Sequence, residues 1–265
     1  MMQDVRDVYF RDIQEQRFHA VLTAEGDGIL SGVREAAAKA ADLGLAEFRC
    51  GAEGQALSAG EAFASFSGTP KAIAMAEEQI IGTLAKASGI ASAARKAVAL
   101  ADGKVRIVSG SWKKMPPALK GMVRQAITAG GADFRICTPP MLYIDKNFIR
   151  MLGSVAMALR AADGIPEAKR VVQLKGLFCS LEEETVQAVE GGAQILMVDT
   201  GSLRDLERCQ KQLDRMQARS RVQLAFAGGV RISEIPRMAC LGMDILCIGK
   251  EIVDARLLDM RQDVV

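Results

Sequence analysis

The hydrophobic pattern of the chain changes near residue 90. Downstream of Gly89, short continuous apolar runs alternate strictly with longer amphipathic stretches. Continuous apolar runs of strand length predict strands buried on both faces, as in a parallel sheet covered by helices. The predicted strands are KVRIVS, ADFRIC, MLYID, RVVQLKG, AQILMVD, VQLAFAGG and DILCIG. The predicted helices between them are PALKGMVRQAITA, NFIRMLGSVAMALRAA, SLEEETVQAVEGG, SLRDLERCQKQLDRMQA and RISEIPRMACLG.

The first ninety residues mix strands and helices without this alternation. RFHAVLTAEGDGILSG predicts two short strands around a Gly-Asp-Gly turn. An Ala-rich helix that ends at Gly44 follows, and then the strands LAEFRC and EAFASFSGT. A long helix begins at Pro70 and is predicted to stop at Gly89.

These two patterns predict an α/β protein with two domains and a short end segment. Residues 1–90 form an α+β domain, residues 91–250 form a parallel β/α barrel, complete or incomplete, and residues 251–265 form a C-terminal tail. Six or seven β/α units in roughly 160 residues fit a barrel better than an open doubly wound sheet. We therefore expect the chemistry at the carboxyl ends of the barrel strands.

Composition narrows the class of partner. A formal net charge of +2, with no clustered basic block, gives no case for nucleic acid. No apolar run approaches the roughly 20 residues of a membrane span, and the charged N-terminus does not resemble a signal peptide. The six cysteines contain no CxxC pair, so we expect reduced thiols and a cytoplasmic protein. The single histidine, His19, makes a zinc site or a histidine-based triad hard to build.

The ends of the last two predicted strands carry the clearest signal for a ligand. Gly228-Gly229 and Gly249-Lys250 follow consecutive strands. Backbone N–H groups of glycines can approach a phosphate because no Cβ stands in the way. The alternative is that these glycines only form tight turns. Their occurrence on two successive late strands favours a phosphate site.

Charged residues end several other predicted strands. Asp199 follows the apolar strand ILMV, where a carboxylate is costly unless it is paired, linked to a metal or bonded to ligand hydroxyls. The alternatives for Asp199 are a helix N-cap or an ion pair with Lys175 on the neighbouring strand. Basic side chains suited to a phosphate or a carboxylate are those of Lys113, Arg135 and Lys146.

Several of these segments together resemble a known family. EEQIIGTLAKASGIASAARKAV, KVRIVSGSWKKMPPALKGMVRQAITAGGADFR, MLYIDKNFI, GGAQILMVD and AFAGGVRISEI follow the order and spacing of quinolinate phosphoribosyltransferases. The resemblance implies an α+β sandwich domain followed by a β/α barrel, and a homodimer or higher homo-oligomer. It also implies transfer of phosphoribose from phosphoribosyl pyrophosphate to quinolinate with loss of carbon dioxide and pyrophosphate. Magnesium would assist without being tightly bound.

The resemblance assigns site residues position by position. The family's Thr-Arg-Lys-Thr loop corresponds to residues 111–114, so Lys113 is kept and Trp112 replaces an arginine. The family's His-Arg pair corresponds to Phe134 and Arg135. Lys113 and Asp199 are thereby implied as catalytic, and Asp199 as the contact to a substrate-borne magnesium ion. The implied substrate and phosphate contacts are Arg135, Trp112, Phe134, Lys146, Lys175, Gly228, Gly229, Gly249 and Lys250.

Other family positions are replaced in this sequence. The family's Lys-Asp-Asn-His corresponds to residues 145–148, which lack both the lysine and the histidine, and Glu78 stands where an interface arginine is expected. No carboxylate occurs between Glu167 and Glu182, where the family has an acidic strand. Each lost charge-assisted hydrogen bond costs about 1.5–3 kcal/mol. The sequence therefore predicts a divergent member with a flatter, less anionic acceptor than quinolinate, for which Trp112 and Phe134 provide stacking surfaces.

Three functions follow from these residues. The first is a phosphoribosyltransferase-like enzyme that acts on a heteroaromatic acceptor. The second is a non-catalytic or accessory protein that binds a sugar phosphate or nucleotide on the same fold. The third is an aldolase with Lys175 as a Schiff-base lysine, which no other feature of the sequence supports.

Overall fold

The computed structural model describes residues 4–265 and forms two compact units. The first unit comprises residues up to Lys96, Trp112–Ala132 and Glu251–Val265, and the second comprises Ala97–Ser111 and Asp133–Lys250. Among the described residues, no helix combines the length and apolarity needed to cross a membrane.

The regular elements follow one another along the chain in a mixed order. The strands are β1 (Phe18–Ala24), β2 (Gly28–Ile29), β3 (Ala46–Cys50), β4 (Ala56–Leu57), β5 (Ala62–Gly68), β6 (Arg106–Val108), β7 (Met141–Ile144), β8 (Lys169–Leu174), β9 (Ile195–Val198), β10 (Gln223–Phe226), β11 (Ile245–Cys247) and β12 (Met260–Val264). The helices are α1 (Val5–Tyr9), α2 (Val33–Asp42), α3 (Pro70–Ala76), α4 (Gly82–Ala101), α5 (Lys120–Ala129), α6 (Lys146–Leu152), α7 (Val155–Ala161), α8 (Leu181–Glu190), α9 (Leu203–Arg215), α10 (Ile235–Met238) and α11 (Lys250–Val253). A π-helical turn, Glu77–Ile81, joins α3 to α4.

The first unit is built on an antiparallel sheet with the strand order β12-β1-β5-β3. Side chains from β1, β5 and the π-helical turn form its core, and Leu22, Phe66 and Ile80 are fully buried there. The predicted strands on either side of the Gly-Asp-Gly turn both form. They do not pair with each other, because β1 pairs with β5 and β12 while β2 pairs with β4. Residues 251–265, which the sequence indicated only as a tail, contain β12 of this sheet.

The prediction that the long helix stops at Gly89 is wrong, since α4 continues to Ala101. Gly89 is required for another reason. A Cβ at this position would lie 1.9 Å from the Arg256 carbonyl oxygen, so only glycine allows the C-terminal segment to cross the helix so closely.

The second unit is built on a parallel sheet of six strands in the order β6-β11-β10-β9-β8-β7. All four residues of β9 are buried, as the continuous apolar run predicts. Side chains that alternate along the strands form an inner core, which includes Val108, Val171, Met197 and Ala225. The α/β class, with a small N-terminal sheet domain followed by a parallel β/α domain, is therefore confirmed.

The predicted strand ADFRIC is wrong, since only Asp133 forms a β-bridge, to Val108 at the end of β6. Arg106 binds the Asp133 carboxylate at 2.6 Å and also donates to the Ile136 carbonyl, so this segment bends around its side chain. Pro139 and Pro140 follow, and prolines have no N–H group to donate to a ladder.

Helix boundaries in the second unit follow local sequence signals. Ser180 caps α8 in a reciprocal capping box with Glu183, and the Asp145 side chain caps α6. The helix predicted over NFIRMLGSVAMALRAA is divided into α6 and α7. Gly153, with φ +90°, ends α6, and Ser154 caps α7.

Candidate active site at the carboxyl edge of the parallel sheet

Three polar side chains meet at the carboxyl ends of β8 and β9. Alternation along β8 directs Gln173 and Lys175 to the same face as the core residue Val171, and alternation along β9 does the same for Asp199. The Lys175 ammonium nitrogen lies 3.7 Å from Asp199 Oδ2 and donates a hydrogen bond to the Asp199 carbonyl oxygen. The Gln173 amide group donates to the same Oδ2 atom. The alternative of an ion pair between Asp199 and Lys175 is therefore the one that the structure shows, and Ser202, not Asp199, caps α9.

Gln173 also fixes the next loop along the edge. Its Oε1 atom accepts a hydrogen bond of 2.8 Å from the backbone N–H of Lys146, and its side chain is buried. Lys146, which the sequence indicates as a phosphate contact, reaches this network only through its backbone, since the residue is exposed at the start of α6. Gln173 was not predicted from the sequence. Its position two residues before Lys175 on the same strand face is the signal that could have identified it.

Glu184 of α8 closes the loop that follows β8. Its carboxylate accepts hydrogen bonds from the backbone N–H groups of Lys175 (2.8 Å), Gly176 (2.8 Å) and Leu177 (2.6 Å). The side chain is only 1% exposed, so these three donors provide the partners that a buried carboxylate needs. The three N–H groups of this loop are therefore already bound to an anionic side chain of the protein.

Tyr143 of β7 contributes an aromatic side chain to the same interior. Burial raises the pKa of its phenol, and the nearby Cys247, Asp199 and Asp145 raise it further. The phenol is therefore neutral at physiological pH and adds a polar but uncharged group to this interior. Tyr143, the one polar residue in the apolar stretch MLYI, was not predicted from the sequence.

The glycines after β10 differ in what they do. A Cβ on Gly228, which has φ +117°, would lie 2.4 Å from the backbone nitrogen of Gly201, so this glycine allows two loops to touch. Gly229 has φ +69°, and a Cβ there would meet no atom within 4 Å. Gly228 is therefore explained by packing, while Gly229 is explained by its backbone conformation and faces open space.

Gly249, after β11, also makes a close approach. A Cβ on this residue would lie 2.2 Å from Ser111 Oγ. Within residues 4–265, the backbone N–H groups of Gly229 and Gly249 donate to no protein group. Unpaired N–H groups after successive parallel strands can bind an anion. The side chain of Lys250, the next residue, is exposed.

The edge does not fit a magnesium ion held by the protein. No group of three or more His, Cys, Asp or Glu side chains in the described part of the chain could hold a metal. Asp199, the implied contact, has a lysine ammonium group beside its carboxylate. Two like unit charges about 4 Å apart repel by about 4 kcal/mol at the effective dielectric constant of a protein surface, and a divalent ion doubles this cost.

Phe134 and Arg135 lie away from this cluster. Both line a cavity of about 350 Å³ whose walls also contain Arg106, Lys169 and Gln223, the first residues of β6, β8 and β10. The structure thus groups the Phe134-Arg135 pair with the amino ends of the strands, and not with Lys175 and Asp199. The bend that replaces the predicted strand ADFRIC accounts for this difference.

Trp112 and Lys113 lie in a short 3₁₀ helix, Ser111–Lys114, and both belong to the first unit. The guanidinium group of Arg124, from α5 in the same unit, lies 5.0 Å from the centre of the Trp112 ring. This is a cation–π contact, so one face of the indole already has a partner from the protein. Glu78, also in the first unit, forms an ion pair with Arg6.

The fold and this edge define a class of protein. A parallel β/α domain whose carboxyl edge combines an Asp–Lys–Gln network with unpaired glycine N–H groups is suited to binding a phosphorylated, hydroxyl-bearing small molecule.

Comparisons with known proteins identify the family. The family model for the quinolinate phosphoribosyl transferase N-terminal domain matches residues 7–88, and the one for the C-terminal domain matches residues 90–263. The chain therefore belongs to the quinolinate phosphoribosyltransferase family. It is 27% identical over 274 residues to a probable carboxylating nicotinate-nucleotide pyrophosphorylase of Methanothermobacter thermautotrophicus, a match that covers 97% of this chain and 95% of the relative. A protein of Bacillus subtilis with the same description is 24% identical over 94% of this chain and 84% of its own length.

A solved structure supports the fold. The nicotinate-nucleotide pyrophosphorylase from Francisella tularensis superposes with a TM-score of 0.83 at 22% identity, covering 98% of this chain and 90% of that one. The expected family and its two-part α/β fold are thus confirmed.

Proposed function

We propose that this protein is a phosphoribosyltransferase that transfers phosphoribose from phosphoribosyl pyrophosphate to the ring nitrogen of a heteroaromatic acceptor. The observation that carries the proposal is the Asp199–Lys175–Gln173 network beside the unpaired N–H groups of Gly229 and Gly249. This arrangement occurs in a chain that the family models match almost from end to end. The relatives' descriptions name the same class of reaction.

The site residues divide the work of this reaction. The ribose C1–oxygen bond breaks, pyrophosphate leaves with the electron pair, and the acceptor nitrogen forms the new bond to C1. Asp199 accepts hydrogen bonds from ribose hydroxyls, and Lys175 provides positive charge for the leaving pyrophosphate. The N–H groups of Gly229 and Gly249 bind phosphate oxygens. Lys113 keeps the substrate role that the family resemblance gives it.

The acceptor is less anionic than quinolinate. Trp112 and Phe148 stand where the family resemblance places an arginine and a histidine. Quinolinate has two carboxylates, and each missing charge-assisted contact costs about 1.5–3 kcal/mol. A heteroaromatic acid with one carboxylate, or none, fits these replacements better. Loss of carbon dioxide accompanies the transfer only for an acceptor that has a carboxylate beside the ring nitrogen.

The test is release of pyrophosphate from phosphoribosyl pyrophosphate in the presence of a panel of pyridine and imidazole acceptors that includes quinolinate and nicotinate. We expect acceptor-dependent release that is stronger with a monocarboxylate than with quinolinate. Asp199→Asn lowers kcat/KM about tenfold to a hundredfold, because the substitution removes a charge-assisted contact. Asp214→Asn, which changes an exposed aspartate of α9 in the same way, serves as the matched control. Absence of acceptor-dependent release across the panel contradicts the proposal.

A second candidate function is binding without turnover. It is favoured by the neutral amide of Gln173 and by the engagement of Asp199 with Lys175, which leave this edge with little uncompensated charge for catalysis. Calorimetry with phosphoribosyl pyrophosphate separates the two functions, since tight binding without release of pyrophosphate supports the binder. We do not propose the Schiff-base role for Lys175, because its amino group is engaged by the Asp199 carbonyl and carboxylate.

We further propose that the protein acts in the cytoplasm as a homodimer, as the family resemblance implies. Light scattering during size-exclusion chromatography measures the assembly. A monomer at micromolar concentration contradicts the dimer.

A further inference from the structure

We propose that the Lys175 ammonium group occupies the place of a divalent cation at the carboxyl edge, so that this protein binds phosphoribosyl pyrophosphate without magnesium. The inference rests on the proposed function and concerns its cofactor. It begins from the disagreement between the magnesium expected from the family and the residues that surround Asp199.

The oxygen atoms of Asp199 are already engaged by protein groups. Oδ2 accepts the Gln173 amide hydrogen bond and lies 3.7 Å from Lys175 Nζ, and the Asp199 carbonyl oxygen accepts a hydrogen bond from the same ammonium group. A hard cation such as magnesium takes carboxylate and carbonyl oxygens as ligands. These are the two kinds of oxygen that Lys175 already contacts.

Two other carboxylates at this edge are bound by backbone N–H groups. Glu184 is committed to three backbone N–H groups, and the Asp145 side chain caps α6 through the N–H groups of Asn147 and Phe148. Neither is available to complete a coordination shell without giving up these bonds. Gln173 is neutral, so of the carboxylates of Asp145, Glu184 and Asp199 it is that of Asp199 that is left to face a cation, and Lys175 balances its charge.

Pyrophosphate needs positive charge and hydrogen-bond donors as it leaves. Lys175 supplies a positive point charge and the ammonium N–H groups that do not donate to the Asp199 carbonyl oxygen, and the N–H groups of Gly229 and Gly249 supply further donors without charge. A lysine ammonium group in this place performs the electrostatic part of the metal's role.

The experiment measures binding of phosphoribosyl pyrophosphate by calorimetry in EDTA and in magnesium. For the wild-type protein we expect dissociation constants that differ by less than about threefold between the two conditions. Lys175→Glu weakens binding at least tenfold in EDTA, and magnesium restores much of the loss. Lys175→Met weakens binding at least tenfold in both conditions. Lys211→Met, an exposed lysine of α9, is the matched control and changes neither value.

A second measurement uses Mn²⁺ alone, followed by electron paramagnetic resonance, and does not depend on the substrate. The wild-type protein shows no stoichiometric Mn²⁺ site. Lys175→Glu and the double variant Gln173→Glu/Lys175→Glu gain one, because each places new carboxylates beside Asp199. Circular dichroism confirms that each variant is folded, and the single variant keeps the test valid if the double variant does not fold.

The outcomes separate the inference from the proposed function. Wild-type binding that requires magnesium, or a stoichiometric Mn²⁺ site in the wild-type protein, overturns the inference and leaves the proposed function in place. Absence of phosphoribosyl pyrophosphate binding in either condition overturns the proposed function. In that case a gain of Mn²⁺ binding by Lys175→Glu still supports the displacement of a cation by Lys175, and no gain contradicts it.

Discussion

Two loops at the carboxyl edge of the same parallel sheet differ in whether their backbone N–H groups have a protein acceptor. After β8, the N–H groups of residues 175–177 all donate to the buried carboxylate of Glu184. After β10, the N–H group of Gly229 has no protein acceptor among residues 4–265. Both loops follow parallel strands and precede helices, so their position in the fold does not explain the difference. A single carboxylate on the following helix does.

This difference restricts where an anion can bind along the carboxyl edge of the sheet. Unpaired N–H groups are costly inside a protein but useful where a ligand supplies the acceptor. The backbone N–H groups of the β8 loop are committed to a protein carboxylate, while the N–H group of Gly229 in the β10 loop has no protein acceptor among residues 4–265. Substitutions in the first loop are therefore expected to lower stability more than substitutions in the second.

The largest expected effect is that of Glu184→Ala. The substitution leaves three N–H donors without an acceptor, so we expect the free energy of unfolding to fall by about 3 kcal/mol. Urea unfolding followed by circular dichroism measures this change. Glu190→Ala, at the exposed end of the same helix, is the control and is expected to change stability by less than about 0.5 kcal/mol. Equal effects of the two substitutions show that the carboxylate does not hold the loop.

The next effect distinguishes the two adjacent glycines of the β10 loop. Gly228→Ala places a methyl group 2.4 Å from the Gly201 nitrogen, so we expect a loss of about 2 kcal/mol in unfolding free energy. Gly229→Ala meets open space and carries only the cost of a left-handed conformation, about 1 kcal/mol. Thermal unfolding of both variants in the same buffer tests the order. A larger loss for Gly229→Ala reverses our assignment of packing to the first glycine.

The smallest effect concerns Tyr143, at the interior of the same edge. Burial raises the pKa of its phenol above the unfolded value of about 10, so the unfolded state loses this proton first as the pH rises. Stability contributed by the neutral phenol is therefore complete below about pH 10 and is lost above it. Between pH 9 and pH 10.5 we expect wild-type stability to fall by about 0.8 kcal/mol more than that of Tyr143→Phe. If the stabilities of the wild-type protein and Tyr143→Phe depend on pH in the same way, the phenol lies in a more polar environment than its burial indicates.

Local sequence patterns predicted much of the second unit. Six of the seven predicted strands form between Arg106 and Cys247, because continuous apolar runs of strand length are stable only when both faces are covered. The seventh, ADFRIC, does not form. Its pattern is that of a strand, but Arg106 binds Asp133 and the Ile136 carbonyl and bends the segment. That competition depends on a side chain about thirty residues away, which a window of sequence does not contain.

The residues of the candidate site likewise divide into those that the sequence predicted and those that it did not. Asp199 and Lys175 were found from the sequence, because charged residues at the ends of apolar strands stand out against their surroundings. Gln173 and Glu184 were missed. Both have ordinary polar side chains, and their importance comes from the atoms they meet in the fold. The predicted helix end at Gly89 was wrong for a related reason. That glycine allows the close approach of Arg256 and does not end a helix.

The sequence by itself determined the family, the change from a mixed α+β pattern to a β/α alternation, and the strand ends that form the candidate site. These properties depend on residue types and on periodicities of two to four residues, which any stretch of chain displays. The tertiary structure alone decided that β12 joins the first sheet, that Arg135 lies with the amino ends of the strands, and that Lys175 engages Asp199. Each of these depends on contacts between residues far apart in the chain, which only folding brings within bonding distance.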